Sequence, residues 1–162
     1  MSRFNLFEYG QLLVDNLLPI KHKTLLRAFG VEQLLDFNSA LSRIDGTCII
    51  AVDGADSKQK KADNDSLYLT PEFAFIVVKP VVSVNDNSLF EAVNSCRTII
   101  EEINKKMLLD IKTPGTALFR KNMNSVEFAG FGPIGDNFYG QAYYFTIDEN
   151  YEFKLSPELW QQ

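Results

Sequence analysis

Three glycines, Gly130, Gly132 and Gly135, match the G-x-G-x-x-G spacing with which many proteins bind a dinucleotide. In that motif a helix follows the glycines, so that the N-terminus of the helix faces the pyrophosphate. Here Pro133 lies inside the motif, and a strand-like run follows it. We therefore interpret the glycines as turn residues that supply positive φ or a bulge, and we predict no bound cofactor.

The other residues that could carry chemistry have no partners at a useful spacing. His22 is the only histidine, and because lysines flank it on both sides we expect an exposed side chain without a catalytic role. Asp53, Asp56, Asp63 and Asp65 could suggest a site for a hard cation, but their spacing departs from an EF-hand loop and lysines interrupt it. We predict a solvated segment here, no metal site and no enzymatic activity.

Aromatic residues are numerous near the C-terminus, where Tyr139, Tyr143 and Tyr144 could stack on bases or sugars. The formal net charge of −5 argues against nucleic acid and against an anionic membrane surface, because both partners attract basic proteins. Aromatic side chains in strands more often belong to a core or to a subunit interface. We favour those two roles and expect no direct recognition of nucleic acid.

The two cysteines, Cys48 and Cys96, each lie in an apolar run and are not at a metal-ligand spacing. We predict two buried thiols rather than a disulfide. The N-terminal residues include Glu8 and lack the apolar core of a signal peptide, and no stretch approaches the ~20 apolar residues of a membrane-spanning helix. These features predict a cytoplasmic protein with no membrane partner.

The strongest structural pattern lies at 72–109. In the predicted strand 67–82, the side chains of Phe73, Phe75 and Val77 point to one face of the sheet, and the alternate residues, also apolar, point to the other. Both faces must therefore be covered. A helix is predicted to begin at Ser88, with Glu91 completing a capping box. Its apolar stripe consists of Leu89, Val93, Cys96, Ile100, Ile103 and Met107.

The rest of the chain divides at its turn residues. We predict helices at 4–18 and 23–41, a strand at 47–52, a 14-residue polar loop at 53–66, a hairpin formed by 126–131 and 138–147, and a C-terminal tail at 151–162. At 162 residues the chain suits a single domain. The predicted fold is α+β, with a four-stranded antiparallel sheet in α-β-β-α-β-β order and helices packed mainly on one face; a mixed sheet is the alternative.

This layout resembles the tail-terminator or tail-completion proteins of long-tailed phages and their counterparts in contractile injection systems. The parts that carry the resemblance are the strand at 73–82, the helix at 88–109, and the hairpin formed by 126–131 and 138–147. The resemblance implies a ring that caps a tail tube, with tail-tube or head-connector proteins as candidate partners and the virion as the location after assembly. The segment 19–46 has no counterpart in this resemblance.

Our first functional hypothesis is thus a structural subunit that forms a homo-oligomeric ring. The candidate subunit interface consists of Phe73, Phe75, Val77, Tyr139 and Tyr143. A candidate lumen or docking loop consists of Lys58, Lys60 and Lys61. The alternative is an α+β adaptor that binds its partner through the aromatic surface of the hairpin.

Overall fold

The computed structural model describes residues 3–54, 57–61, 67–83, 85–151 and 155–160. The elements in chain order are α1 (Leu6–Asn16), β1 (Leu26–Phe29), a 3-10 helix (Val31–Phe37), α2 (Asn38–Leu41), β2 (Cys48–Asp53), β3 (Ser57–Lys61), β4 (Leu67–Pro80), α3 (Asp86–Lys112), β5 (Asn122–Ile134), β6 (Phe138–Tyr151) and a second 3-10 helix (Pro157–Leu159). The fold class is α+β, as predicted.

One sheet of six strands organises these elements in the order β1-β2-β4-β6-β5, and β3 also pairs with β4. Among the described strands only the β1–β2 pair is parallel, and the other pairs are antiparallel. The strands β2 and β3 occupy the same side of β4 at its two ends, opposite residues 74–78 and 67–71 respectively. The predicted four-stranded sheet was therefore wrong in strand number.

The main hydrophobic core lies between the sheet and the two longest helices. The buried face of α1 contributes Leu6, Tyr9, Leu13 and Val14, and that of α3 contributes Cys96, Ile99, Ile100, Ile103 and Met107. These side chains meet those of alternate residues in β2, β4 and β6. The helices were predicted to pack mainly on one face of the sheet, and this holds for α1 and α3.

The opposite face of the sheet is covered in part by the chain itself. Leu34 and Leu41, together with the half-buried Phe37 and Ile44, pack against alternate residues of β2 and β4, among them Ile50, Ala74 and Ile76. The segment from 31 to 44 thus covers the second apolar face of β4. It leaves open the end of that face where β3 pairs with β4.

Two sequence predictions of local structure were wrong. The predicted helix at 23–41 contains β1, a 3-10 helix and only a short α2. Leu34 and Leu41 of this segment pack against the sheet. Their helix-like spacing therefore reflects tertiary packing and not a continuous helix. The predicted loop 53–66 contains the strand Ser57–Lys61, which pairs with β4; residues 55, 56 and 62–66 lie outside the described residues.

The N-cap of α3 lies three residues, about one turn, before the predicted one. Asn85 is the N-cap: its Oδ1 accepts from the Ser88 amide at 3.0 Å, and the Ser88 hydroxyl oxygen accepts from the Asn85 amide at 3.1 Å. Ser88 therefore occupies the N3 position of the capping box, which was predicted for Glu91, and not the N-cap position. The stripe along α3 is confirmed at Cys96, Ile100, Ile103 and Met107.

Candidate functional site

The residues considered for catalysis do not converge. His22 is half-buried rather than exposed, and the described residues contain no group of three or more histidine, cysteine or acidic side chains that could hold a metal ion. Asp56, Asp63 and Asp65 lie outside the described residues. The glycines at 130–135 form the end of β5 and the turn into β6: Gly132 and Gly135 have positive φ, and the register shifts between Phe131 and Ile134. The turn interpretation is confirmed.

The two thiols are buried and lie in different cores. Cys48 belongs to the core under the segment from 31 to 44, and Cys96 to the core under α1 and α3. Both thiols are free, as predicted. Burial raises the pKa of each to about 12, because the thiolate loses its hydration in an apolar surrounding.

We expect neither thiol to react quickly in the folded protein. The thiolate is the reacting species, and at pH 8 both the raised pKa and the burial suppress it. Labelling with a thiol-specific disulfide reagent should be slower by at least about 100-fold in the folded chain than in guanidinium, where both cysteines should react. Fast labelling of the folded chain would contradict the burial of both side chains.

One buried polar network joins the two long helices. The hydroxyl of Tyr9 in α1 donates to Asp110 Oδ2 in α3 at 2.8 Å, and Lys106 Nζ donates to Asp110 Oδ1 at 2.5 Å. Burial and the neighbouring Asp110 carboxylate raise the pKa of Tyr9 above its usual range. Every charged group in the network is paired, so we assign it a structural role: it fixes α1 against the C-terminal half of α3.

The residues proposed as a subunit interface lie mainly inside the chain. Phe73, Phe75, Val77 and Tyr143 are buried beneath α1 and α3, so no neighbouring subunit can reach them. Tyr139 is half-buried at the start of β6. The two-sided apolar strand was interpreted correctly as covered twice, but both covers come from this chain.

These aromatic side chains form one connected cluster across the sheet. Phe145 stacks on Phe75 and on Tyr143, with ring centroids 5.5 and 5.2 Å apart, and Phe4 meets Phe73 edge to face. Phe128 of β5 extends the cluster outward, 5.3 Å from the Tyr143 ring. These aromatic residues therefore belong to the core, and Phe128 is the member of the cluster that reaches solvent.

Phe128 lies on an edge strand. β5 has 13 residues and, within the described part of the chain, pairs only with β6. On the helix side of the sheet it exposes Val126 and Phe128, at 37% and 44% of their surface. Between 122 and 131 it carries one charged residue, Glu127, and neither lysine nor proline. This stretch thus lacks the lysines and prolines with which proteins commonly protect an open edge, and Pro133 and the two register shifts of β5 lie near the ends of the strand.

The edge at β3 has the opposite character. Lys58, Lys60 and Lys61 are three of its five residues, and all five side chains are exposed. Two of these lysines also form one wall of a polar cleft on the sheet face away from α1 and α3. We call the open side of β5 the β5 edge and the open side of β3 the β3 edge.

The polar cleft has a cavity volume of about 310 Å³. Its side walls are β3 and β5, and its floor is formed by β4 and β6. The lining residues are Lys58, Lys60, Thr70, Glu72, Asn124, Ser125, Glu127, Tyr144, Phe145 and Thr146. Sequence reasoning identified the lysines but not the cleft, because strand register alone brings these residues together.

No protein family and no curated protein sequence matches this chain. Among the described residues, no helix combines the length and the apolar character needed to cross a membrane. The function must therefore be inferred from the geometry of the two edges and of the polar cleft.

Proposed function

We propose that this chain is a structural assembly subunit that forms a homo-oligomeric ring of the phage tail-terminator kind. The single observation that carries the proposal is the β5 edge, which is long, unpaired and apolar on its helix side. A strand with unpaired amide and carbonyl groups is a template for pairing with another chain. Burial of Val126 and Phe128 between two such strands would stabilise the pairing by the hydrophobic effect, in addition to the backbone hydrogen bonds.

A ring needs two different surfaces that meet head to tail, because a surface that meets its own copy gives a closed dimer. The β3 edge is the natural counterpart of the β5 edge. It carries three lysines, and the β5 edge carries Glu127 with no cation between 122 and 131. Opposite charges on neighbouring strands stabilise their pairing by roughly 0.2–1 kcal/mol per pair. We therefore propose that β5 of one subunit pairs with β3 of the next.

Substitution of lysine for the exposed apolar residues of β5 tests the proposed pairing of β5 with β3 of the next subunit. We expect the unchanged protein to elute as an assembly larger than a dimer, and Val126→Lys and Phe128→Lys each to weaken assembly by roughly tenfold or more, since each places a charge in an apolar contact. Light scattering after gel filtration measures the mass. Leu12→Lys is the matched control, because Leu12 in α1 is equally exposed, at 43%, and lies away from both edges.

Cysteine cross-linking then separates the ring from a dimer. Gln59→Cys in β3 and Phe128→Cys in β5 should form a disulfide across subunits only when the two variants are mixed, since a disulfide requires Cα atoms about 4.4–6.8 Å apart. Cross-linking of Phe128→Cys alone would indicate a two-fold β5–β5 dimer and contradict the ring. A protein that stays monomeric at high concentration, and also with tail-tube protein present, would contradict self-assembly altogether.

The same β5 edge supports the adaptor as a second candidate function. A partner of a different sequence could add its own strand to this edge. A monomer that binds a tail-tube or head-connector protein, and loses that binding in Phe128→Lys, would favour the adaptor over the ring.

A further inference from the structure

The polar cleft forms because the strand register places polar residues opposite one another on neighbouring strands, in successive rows that run across the sheet. Lys58 lies opposite Thr70 on the neighbouring strand. In the next row Glu72 lies opposite Thr146, and Thr146 opposite Ser125. Tyr144 lies opposite Glu127 in the row after that. The rows beyond are apolar and are covered by the segment from 31 to 44. The polar rows are the part of this face that the segment leaves open.

Two hydroxyl groups on the floor of the cleft have no hydrogen-bond partner among the residues that the structure describes. They are Thr70 Oγ1 and Thr146 Oγ1, and Thr70 is only 5% exposed. A buried polar atom without a partner costs about 1–3 kcal/mol, so proteins retain few of them. Valine has the shape of threonine and would fill the same space without this cost. The presence of threonine at both floor positions points to an external partner.

The charges of the two walls differ in sign. Lys58 and Lys60 belong to the β3 wall and Glu127 to the β5 wall, while Glu72 lies on the floor, in β4. Within the described residues no ion pair joins these lysines to these carboxylates. Burial, and then the two carboxylates, raise the pKa of Tyr144, which agrees with a negative potential beside its ring. The cleft thus has a cationic wall at β3 and an anionic wall at β5.

We propose that the polar cleft binds a small zwitterion, a molecule with one carboxylate and one ammonium group, which is the chemistry of an amino acid. The carboxylate accepts hydrogen bonds from Lys58, Lys60 and the two floor hydroxyls. The ammonium group donates to Glu127 and lies beside the ring of Tyr144, the cross-strand neighbour of Glu127, where a cation is further stabilised. The volume of about 310 Å³ is at the small end of ligand sites and suits a molecule of this size.

Calorimetric titration of the full chain tests the proposal with a series that varies the separation of the two charges. The probes are glycine, 4-aminobutanoate and 6-aminohexanoate. Hexanoate and hexylamine are the matched single-charge controls for the longest probe. We expect at least one zwitterion to bind with a Kd on the order of 0.1–1 mM, and both single-charge controls to bind at least about tenfold more weakly. No binding by any zwitterion, or equal binding by a single-charge control, would overturn the proposal.

Two variants assign the binding to the cleft. Thr70→Val removes the floor hydroxyl and keeps the shape, and Glu127→Gln removes one carboxylate from an exposed position. Each should weaken binding of the best zwitterion by roughly tenfold, the effect of losing a hydrogen bond to a charged group. Thr98→Val and Glu101→Gln are the matched controls on the exposed side of α3 and should bind like the unchanged protein. Unchanged binding in both cleft variants would overturn the assignment, and Glu127→Gln decides alone if Thr70→Val fails to fold.

Discussion

Replacement of Gly140 by alanine is expected to destabilise the folded chain by at least about 3 kcal/mol, the largest steric effect that any single methyl group should have here. Gly140 lies in β6, opposite Val78 of β4 on one side and Phe131 of β5 on the other. A Cβ atom at this position would overlap the carbonyl oxygen of Val77 and lie 2.9 Å from Val78 Cα. These are backbone atoms, so no change of side-chain rotamer can relieve the contact.

The contact matters because β4 and β6 form the central ladder of the sheet. Any backbone shift at Gly140 must separate two strands that hold Phe75, Tyr143 and Phe145 in the aromatic cluster. Domains have a total stability of only about 5–15 kcal/mol, so a loss of this size should lower the urea midpoint clearly or prevent folding.

Gly130→Ala is the matched control in the same hairpin. No atom of the described residues lies within 4 Å of a Cβ atom built on Gly130, and the φ angle of Gly130 is not positive. We expect its free energy of unfolding to stay within about 0.5 kcal/mol of that of the unchanged protein, as for most surface substitutions. Equal urea midpoints for Gly140→Ala and Gly130→Ala would show that β4 and β6 do not approach each other in this way at Gly140.

The sequence was informative where local pattern and tertiary structure agree. The stripe along α3 and the alternation along β4 each match a single periodicity, and both elements lie within a few residues of their predicted ends. The hairpin between β5 and β6 was also predicted from its turn residues, and the positive φ of Gly132 and Gly135 supplies the physical reason. Turn chemistry and periodicity act over short distances, so a single sequence can reveal them.

The missed elements depend on contacts between distant parts of the chain. β3 consists of residues such as Lys58 and Lys60 that favour solvent, and it is a strand because β4 continues past the end of β2 and offers it a free edge. The assignment of Phe73 and Phe75 to a subunit interface failed for a related reason. Alternation shows that both faces of a strand are buried, but not whether the cover belongs to the same chain.

The polar cleft could not be predicted at all from the pattern of residues. Its walls and floor come from four strands, and Thr70, Glu127 and Thr146 become neighbours only through the order β3-β4-β6-β5 and its register. The β5 edge was equally hidden, because β5 and β6 are both rich in aromatic residues and only the topology makes β5 the outer strand. A hairpin in sequence does not reveal which of its strands has a free side.

The second large effect is expected for Ile100→Asp. Ile100 is fully buried in the centre of α3, among the residues that pack on β4 and β6. The substitution removes most of the apolar side chain and places a carboxylate where no cation is paired with it. We expect a loss of at least about 4 kcal/mol in the free energy of unfolding at pH 7, or a chain that does not fold.

The pH dependence identifies the charge as the cause. Burial should raise the pKa of the new carboxyl in the folded state above its unfolded value of about 3.9. The folded state then binds the proton more tightly than the unfolded state, so the variant loses least stability below about pH 4 and more as the pH rises through the folded pKa. Ile100→Asn is the control, because it has nearly the same shape and polarity but cannot ionise, and its loss should not show this dependence. Urea unfolding of both variants between pH 4 and pH 7 measures the difference. Parallel curves for Asp and Asn would mean that water reaches this position, and would contradict a dry interface between α3 and the sheet.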